Sequence, residues 1–221
     1  MLELYKPLQN QAYEHIVSMI ESGALSYDRI YSETRLAAEI GISRTPMRDA
    51  IHRLAADGVL DIIPSKGFRL HRLTSTEILD TFQVRSAVES YCASLMAREH
   101  DMPACQKAQQ LMEAEILCQE QICENGHSAE DFTHTDNRFH QLIHFYPQNN
   151  TFSQLFTRYL YRIRSITLDS LAVPRRMEDT VQEHRAILDA IRSGSEEAAS
   201  SLVLNHIRMA KDLLLMEKER D

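Results

Sequence analysis

Apolar residues between positions 33 and 54 recur at helical spacing in two short runs that a glycine separates. The first run is Leu36, Ala37 and Ile40, and the second is Met47, Ala50, Ile51 and Leu54. Gly41 ends the first predicted helix, and Ser43 stands at the N-cap of the second, where its hydroxyl can accept a backbone N–H bond. Pro46 falls in the first turn of that helix, where its missing N–H costs little. The pattern predicts a helix, a turn and a second helix.

Two short runs with the β-branched and apolar content of strands follow, at residues 59–63 and 68–72. The four residues from Pro64 to Gly67 form the predicted turn between them. Gly67 allows close approach to a phosphate backbone, and Lys66 adds positive charge. The helices and the hairpin together predict a winged helix-turn-helix with this turn as the tip of the wing.

The N-terminal end of the second predicted helix carries Arg44, Thr45 and Arg48, which are left projecting outward. An isolated pair of arginines is most often only a solvated feature of a protein surface. Here the pair occupies the place at which a recognition helix meets base edges in the major groove. The sequence therefore predicts specific binding to double-stranded DNA.

From residue 74 onward the pattern is almost purely helical. Thr74 and Glu77 form a capping-type start, and proline, glycine and asparagine separate the later stretches. The amphipathic stretches are 77–98, 103–124, 129–145, 150–170, 175–193 and 196–217. Such a series of helices with short turns predicts an all-α bundle. The predicted fold class is mainly α, with a winged helix-turn-helix DNA-binding domain at 1–73 and an all-α helical bundle at 74–221.

Charge is unevenly divided between the two predicted domains. Residues 1–73 contain nine lysines and arginines against nine acidic residues, whereas residues 74–221 contain 15 against 23 and carry the whole net charge of −8. An acidic partner domain discourages non-specific binding through phosphate charge, which suits a site-specific binder. With no apolar run long enough for a membrane span and no signal-peptide pattern, a cytoplasmic protein is expected. The four cysteines form no metal or disulfide pattern and are expected to be reduced thiols.

Four side chains of the predicted bundle suggest a metal site: Asp136, His140, His184 and His206. The first two are four residues apart in one predicted helix, so they project from the same face. The other two lie midway along two later helices. One carboxylate and three imidazoles that converge in a bundle core form a ligand set for a divalent transition metal. A surface or core role is more frequent for any single histidine, and His134 and His144 are the substitutes if the register is wrong.

Residues from about Gln9 to Arg72 resemble the winged-helix domain of GntR-type bacterial transcription regulators. The matching residues are Ser32-Glu33, Arg35-Leu36-Ala37, Ile42-Ser43-Arg44-Thr45-Pro46, Met47-Arg48-Asp49-Ala50, Leu54, Gly58 and Gly67. The DNA contacts that the resemblance implies are Arg35, Arg44, Arg48 and Gly67. Tyr31 stands where the family usually has a proline, and Lys66 where an arginine is common, which affects details of the operator rather than DNA binding.

Residues from about Thr76 to Leu215 resemble the all-helical effector domain, called FCD, of the FadR subgroup within that family. The matching segments are Val84 to Glu89, Asp136 to His140, Glu183 to Ile191, and His206. In the metal-binding members an aspartate and a histidine four apart and two later histidines hold the ion, so the resemblance implies all four residues named above as ligands. The donor set does not fix the metal: Zn²⁺ is the first expectation, and Ni²⁺ and Mn²⁺ are alternatives.

These observations predict a transcription regulator, not an enzyme, that represses from an inverted-repeat operator as a homodimer. A small carboxylate effector would occupy open positions on the metal and modulate operator binding, and Arg85 would pair with a second carboxylate or hydroxyl of that effector. A structural salt bridge with Glu89 is an equal alternative for Arg85. Two other readings stay open: a purely structural metal in the same regulator, and a metal-dependent hydrolase with Glu183 as its base.

Overall fold

The computed structural model describes residues 7–21, 24–126, 128–173 and 175–218, and the chain divides into two units, Met1–Leu73 and Thr74–Asp221. The elements of the first unit are α1 (Leu8–Glu21), α2 (Glu33–Glu39), α3 (Arg44–Ala56), β1 (Leu60–Ile63) and β2 (Gly67–Leu70). Helices α1 and α2 each pack on α3. The buried side chains of α3 are Met47, Ala50, Ile51 and Leu54, the apolar set of the sequence pattern. Helix α3 is therefore the second helix of the predicted helix-turn-helix.

The two helices of this motif begin on serines that act differently. Ser32 Oγ accepts a hydrogen bond from the backbone N–H of Arg35 at 3.4 Å and so caps α2. Ser43 holds the N-cap position of α3 in an extended conformation, but its hydroxyl makes no capping bond to any described residue. The predicted hydroxyl cap is therefore wrong, and the turn before α3 is supported by the backbone, where Ile42 N–H donates to Ala37 O at 3.0 Å.

The wing is an antiparallel hairpin of β1 and β2 in which Leu60 lies opposite Leu70. Tyr31 adds a one-residue bridge to this hairpin: its N–H donates to Phe68 O at 2.7 Å, and its carbonyl accepts from Phe68 N–H at 3.0 Å. A proline at position 31 could not donate the first of these bonds. The bridge thus ties the segment before α2 to the second strand of the wing.

The second unit is a bundle. Its helices are α4 (Ser75–Arg98), α5 (Pro103–Asn125), α6 (Ala129–His144), α7 (Asn150–Leu171), α8 (Arg176–Arg192) and α9 (Glu196–Lys218). The predicted capping box is present, because Thr74 Oγ1 accepts from Glu77 N–H and the Glu77 carboxylate accepts from Thr74 N–H. The predicted fold class, a winged helix-turn-helix followed by an all-α bundle, is confirmed. Among the described helices, none combines the length and apolar character that a membrane crossing requires.

Two helix pairs fix the directions within the bundle. Arg98 at the end of α4 pairs with Glu196 at the start of α9, Nη2 to Oε2 at 2.6 Å, so these two packed helices run antiparallel. Helices α8 and α9 follow each other through a turn at 193–195 and also pack together, which makes them antiparallel as well. Helices α4 and α8 therefore run in the same direction.

The buried face of α4 carries charge. Arg85 and Glu89 are 3% and 0% exposed, whereas the apolar Val84 and Val88 of the same helix are only half-buried. The apolar face of α4 is otherwise buried, at Ile78, Phe82 and Ala93, so the charged pair interrupts this face. The reason is that the interior beside α4 is occupied by polar side chains rather than by a purely apolar core.

Gly67 gives a test of the wing. Its φ is +125°, and a Cβ at this position would lie 2.0 Å from the backbone oxygen of Tyr31. We expect Gly67→Ala to break the bridge between Tyr31 and Phe68 and to lower the free energy of unfolding of the first unit by about 2 kcal/mol or more. Hydrogen exchange at the amides of Tyr31 and Phe68 measures the loss of protection.

The matched control is Gly41→Ala. Gly41 also has a positive φ, +70°, but no described atom lies within 4 Å of a Cβ built there. We expect this variant to lose only about 1 kcal/mol and to keep both bridge amides protected. Equal protection of the two amides in both variants would show that the close contact at Gly67 is relieved without breaking the bridge.

Candidate metal centre and DNA-binding surface

The four residues predicted to bind metal lie together in the core of the second unit. Asp136 and His140 come from α6, His184 from α8 and His206 from α9. All four are buried, and one ligand atom of each lies within 4.8 Å of the others. We refer to these four residues as the His/Asp cluster. The spacing of four within α6 and the packing of α6, α8 and α9 bring one carboxylate and three imidazoles to a single point.

Each imidazole of the cluster contacts an oxygen of a neighbouring side chain through Nδ1. The three pairs are His140 with Glu89 Oε2 at 2.7 Å, His184 with Gln119 Oε1 at 2.9 Å, and His206 with Glu183 Oε2 at 2.5 Å. Since a carboxylate or amide oxygen only accepts, Nδ1 donates in each pair. The tautomer is thereby set with its lone pair on Nε2, which is the usual arrangement behind a metal-binding histidine.

The Nε2 atoms face one another without donors between them. His140 Nε2 and His206 Nε2 are 3.1 Å apart, and His184 Nε2 is buried with no hydrogen-bond partner in the described part of the chain. Asp136 Oδ1 lies 3.6 Å from His184 Nε2 and 3.9 Å from His140 Nε2. Lone pairs and a carboxylate gathered in this way repel each other and are left unsatisfied, which is costly in a protein core. A bound cation removes both penalties, so the donor set fits a divalent metal.

The electrostatic environment keeps two of the imidazoles, those of His184 and His206, neutral. Burial, with the neighbouring His206 and His140, holds the pKa of His184 well below its ordinary value. Burial also lowers the pKa of His206, against the opposing effect of its bond to Glu183. A neutral imidazole is the form that ligates a metal, because protonation consumes the lone pair.

The Nδ1 partners are themselves anchored by arginines. Arg85 Nε donates to Glu89 Oε1 at 2.7 Å, and both groups are buried. Arg176 contacts both oxygens of Glu183, at 2.8 and 2.9 Å. Burial alone would raise the pKa of Glu183, but the hydrogen bonds from His206 and Arg176 outweigh it and lower the pKa to about 2. Both carboxylates therefore remain ionised acceptors for the imidazoles.

The sequence pattern does not predict that Glu89, Gln119 and Glu183 contact the imidazoles. Glu89 was considered only as a salt-bridge partner of Arg85, and that ion pair is indeed formed. Glu183, the base of the hydrolase alternative, instead contacts His206 on the next helix. Gln119 stands on α5 with no sequence signal, because its contact to His184 spans 65 residues.

The histidines named as possible substitutes lie outside the cluster. His134 is exposed on α6 and lines a surface cavity of about 540 Å³. His144 is buried, but its ring stacks on Phe156 with 3.6 Å between centroids and an interplanar angle of 3°. Neither side chain contributes to the group of four.

The residues predicted to contact DNA lie on the surface of the first unit. Arg44, Thr45 and Arg48 are exposed at the start of α3, and Lys66 is exposed at the tip of the wing. Two of the arginines make surface ion pairs: Arg35 Nε with Glu39 at 3.2 Å, and Arg44 Nη2 with Glu33. Gly67 is also required by the close approach of Tyr31, so its presence has a structural reason as well as a proposed contact with DNA.

Known protein families match both units of the chain. The family described as "Bacterial regulatory proteins, gntR family" matches residues 8–70, and the FCD domain family matches residues 80–209. The second match alone covers more than half of the chain.

Individual relatives agree with the family matches. The HTH-type transcriptional regulator YdhC of Bacillus subtilis (strain 168) is 26% identical over 200 residues, which are 90% of this chain and 88% of the relative. A probable D-xylose utilization operon transcriptional repressor of Paenarthrobacter nicotinovorans is 25% identical over 199 residues, 90% of this chain and 84% of the relative. The solved structure of E. coli McbR/YncC has the same fold, with a TM-score of 0.78, 16% identity and coverage of 98% and 100% of the two chains.

His144 gives a test of the bundle core that does not depend on metal. Burial lowers the pKa of His144 to about 3, against the opposing effect of Glu89. An unfolded histidine titrates near pH 6.5, so stability present above that pH is lost as the pH falls toward 3. We expect His144→Phe to remove this loss, which amounts to about 2 kcal/mol between pH 7 and pH 5.

The measurement is the free energy of unfolding of chelator-treated protein at several pH values. His134→Phe is the matched control, because it makes the same change at an exposed position of the same helix. That variant is expected to keep the acid sensitivity of the wild type. An unaltered pH profile in His144→Phe would mean that this histidine titrates normally in the fold.

Proposed function

The chain belongs to the GntR family of bacterial regulatory proteins and carries an FCD domain, and on this basis we propose that it is a metal-dependent, carboxylate-responsive repressor. It is a DNA-binding transcription regulator and not an enzyme, as are its family and its relatives. The observation that carries the metal part of the proposal is the convergence of three Nε2 atoms and one carboxylate in the core. We also assign it to the FadR subgroup and to the cytoplasm, where a bacterial regulator meets its operator.

DNA recognition is proposed for the exposed end of α3 and the wing. Arg44, Thr45 and Arg48 would read base edges in the major groove, and Arg35, Lys66 and Gly67 would contact the phosphate backbone. We propose a homodimer that binds an inverted repeat, because helix-turn-helix regulators read two half-sites about one turn of DNA apart.

The proposed metal ligands are Asp136, His140, His184 and His206. Zn²⁺ is the first expectation for three imidazoles and a carboxylate, and Ni²⁺ and Mn²⁺ suit the same donors. When bound, the metal supplies an electrophilic anchor for an oxygen ligand from outside the protein. Glu89, Gln119 and Glu183 hold the imidazoles in the orientation and tautomer that the ion requires.

A balance of charges favours an anionic effector. The ionic side chains of the cluster and of the network that holds its Nδ1 atoms are two guanidinium groups, Arg85 and Arg176, and three carboxylates, Glu89, Asp136 and Glu183. With neutral imidazoles their sum is −1, and a divalent cation changes it to +1, which one carboxylate neutralises. Arg85 Nη2 is buried without a partner among the described residues, so it can donate to that carboxylate.

The effector would act by linkage. If a small carboxylate binds the bundle and the operator binds α3, each changes the affinity for the other by the same factor. The corresponding coupling free energy is typically about 1–3 kcal/mol. Release of a repressor from its operator is the sense we propose, and the relative named a D-xylose operon repressor supports it.

Two alternatives differ from this proposal in what the metal does. A purely structural metal would leave the regulator unresponsive to carboxylates, which the unpartnered Arg85 Nη2 argues against. A hydrolase needs a free base near the metal, but the candidate Glu183 is already engaged by His206 and Arg176. Carboxylate sensing therefore gives Arg85 Nη2 a ligand to bind and requires no free base at Glu183.

Metal content tests the proposed ligands. Elemental analysis by mass spectrometry of protein purified without chelator should find about one transition metal per chain in the wild type. We expect His184→Ala to lose most of it, because one of four ligands is removed from a site whose other donors then face a cavity. His134→Ala, which removes an exposed histidine of the same bundle, should keep full occupancy. Full occupancy in His184→Ala would show that this histidine is not a ligand.

Operator affinity tests the proposed recognition helix. The probe is a duplex selected by the wild-type protein from random DNA, and binding is measured at one fixed salt concentration. We expect Arg48→Ala to lose roughly 1–3 kcal/mol of specific binding, the value of one arginine contact to a guanine. Arg53→Ala removes the same charge from the same helix, where the guanidinium stacks over Tyr13, and should change specific binding much less. Equal losses of affinity in both variants would mean that Arg48 contributes only its positive charge and makes no base contact.

A further inference from the structure

Two surface cavities open between the packed helices α5 and α6. The end of α5 and the start of α6 line a cavity of about 540 Å³, and the start of α5 and the end of α6 line one of about 380 Å³. The two helices therefore run antiparallel, with one cavity toward each end of the pair. We call this surface, lined from residues 104–126 and 128–148, the α5/α6 groove.

The groove has the character of a helix-packing surface. Six of its residues on α5 are Ala104, Ala108, Leu111, Glu115, Cys118 and Ile122. Their steps of four and three keep them on one face of the helix, as in the seam through which one helix packs on another. Leu111 on this seam is 47% exposed, and Phe145 on the other wall of the groove is 38% exposed. Apolar side chains left open along such a seam indicate a docking surface.

The charges along the groove indicate which partner fits. Arg138 Nη2 contacts Glu115 Oε1 at 2.9 Å, so this ion pair marks one level that both helices share. With a rise of about 1.5 Å per residue, the exposed Lys107 lies about 12 Å from this level toward one end of the groove. The exposed Asp131 lies about 10.5 Å from it toward the other end. A second copy related by a twofold axis that crosses the helices at this level would place its Asp131 opposite Lys107.

The apolar side chains obey the same relation. Phe145 and Ile122 lie equally far from the ion pair, about 10.5 Å, on opposite sides of it. The twofold axis brings Phe145 of each copy to the level of Ile122 of the other, and Leu111 to within about one residue of the level of Cys118. A copy that ran parallel would instead set like charges at the same level. The groove is therefore complementary to itself in the antiparallel sense, as an isologous interface requires.

We propose that the α5/α6 groove is the surface through which two copies of this chain associate, with the twofold axis at the ion pair of Glu115 and Arg138. This inference rests on the proposed function, which includes a homodimer but assigns no surface to it. Helix α6 also supplies Asp136 and His140 to the His/Asp cluster from its buried side. A shift of α6 when the cluster is occupied would therefore change the dimer interface directly.

The test measures the mass of the full chain in solution by size-exclusion chromatography with light scattering, over a range of concentrations. We expect wild type to be a dimer. Leu111→Glu buries a charge in the interface and should raise the dissociation constant of the dimer at least about tenfold. Leu117→Glu is the matched control, because Leu117 is equally exposed on the same helix and lines neither cavity. Leu204→Glu makes the same change in the cavity between α4 and α9, and both of these variants should stay dimeric.

A charge exchange tests the antiparallel arrangement at exposed positions, where the fold tolerates substitution. Lys107→Glu sets a carboxylate against the partner's Asp131, and Asp131→Lys sets an ammonium against the partner's Lys107. Each single variant should raise the dissociation constant about fivefold, since two ion pairs are replaced by two repulsive pairs. The double variant exchanges the charges and should restore most of the wild-type affinity.

The outcomes separate this inference from the homodimer on which it rests. A dimer that persists in Leu111→Glu and dissociates in Leu204→Glu would place the interface between α4 and α9 and overturn the role of the groove. Absence of rescue in the double charge variant would overturn the antiparallel pairing. Both results would leave the homodimer intact, whereas a monomeric wild type would contradict the homodimer itself. Circular dichroism establishes that the variants compared are folded.

Discussion

The structure of the helical unit depends on one constraint: three buried imidazoles must point their Nε2 lone pairs at each other. This arrangement is unfavourable by itself, since lone pairs repel and buried acceptors without donors cost free energy. It persists because each Nδ1 donates to a fixed oxygen, and two of those oxygens belong to carboxylates held by arginines. The polar network therefore begins at the bundle helices, passes through Arg85 and Arg176, and ends at the His/Asp cluster.

That network explains the unusual character of the bundle interior. The inward face of α4 carries Arg85 and Glu89 where an ordinary bundle would place valine or leucine. The ion pair is buried, so its desolvation is expensive, and replacing such a pair with apolar residues is often neutral or stabilising. The pair has a functional explanation: Glu89 accepts from His140, and Arg85 is proposed to donate to a ligand.

The sequence predicted the helices and the histidine cluster well, because both rest on local spacing. The period of apolar residues gave the helix starts in the bundle to within about two residues, and the spacing of four in α6 put Asp136 and His140 on one face. Contacts between distant segments were harder to foresee. Gln119 has no signal of its own, Glu183 binds a histidine 23 residues away, and the bridge from Tyr31 to Phe68 joins a loop to the wing. The contact of the buried Glu89 with His140 has no signal in the apolar pattern, because hydrophobic periodicity assumes that charge faces water.

The ion pair between Arg44 and Glu33 has a consequence for how the protein searches a genome. The pair is exposed and therefore weak, and the arginine side chain retains 64% of its exposure. A carboxylate beside the guanidinium that we propose to read a base repels any phosphate that approaches, and that penalty is similar on every stretch of duplex. Only a site that offers the guanidinium a base contact compensates for it. In the proposed role of Arg44, Glu33 therefore weakens binding to every duplex by a similar factor, and the base contact restores affinity at the operator, so that residence at the many wrong sites is short.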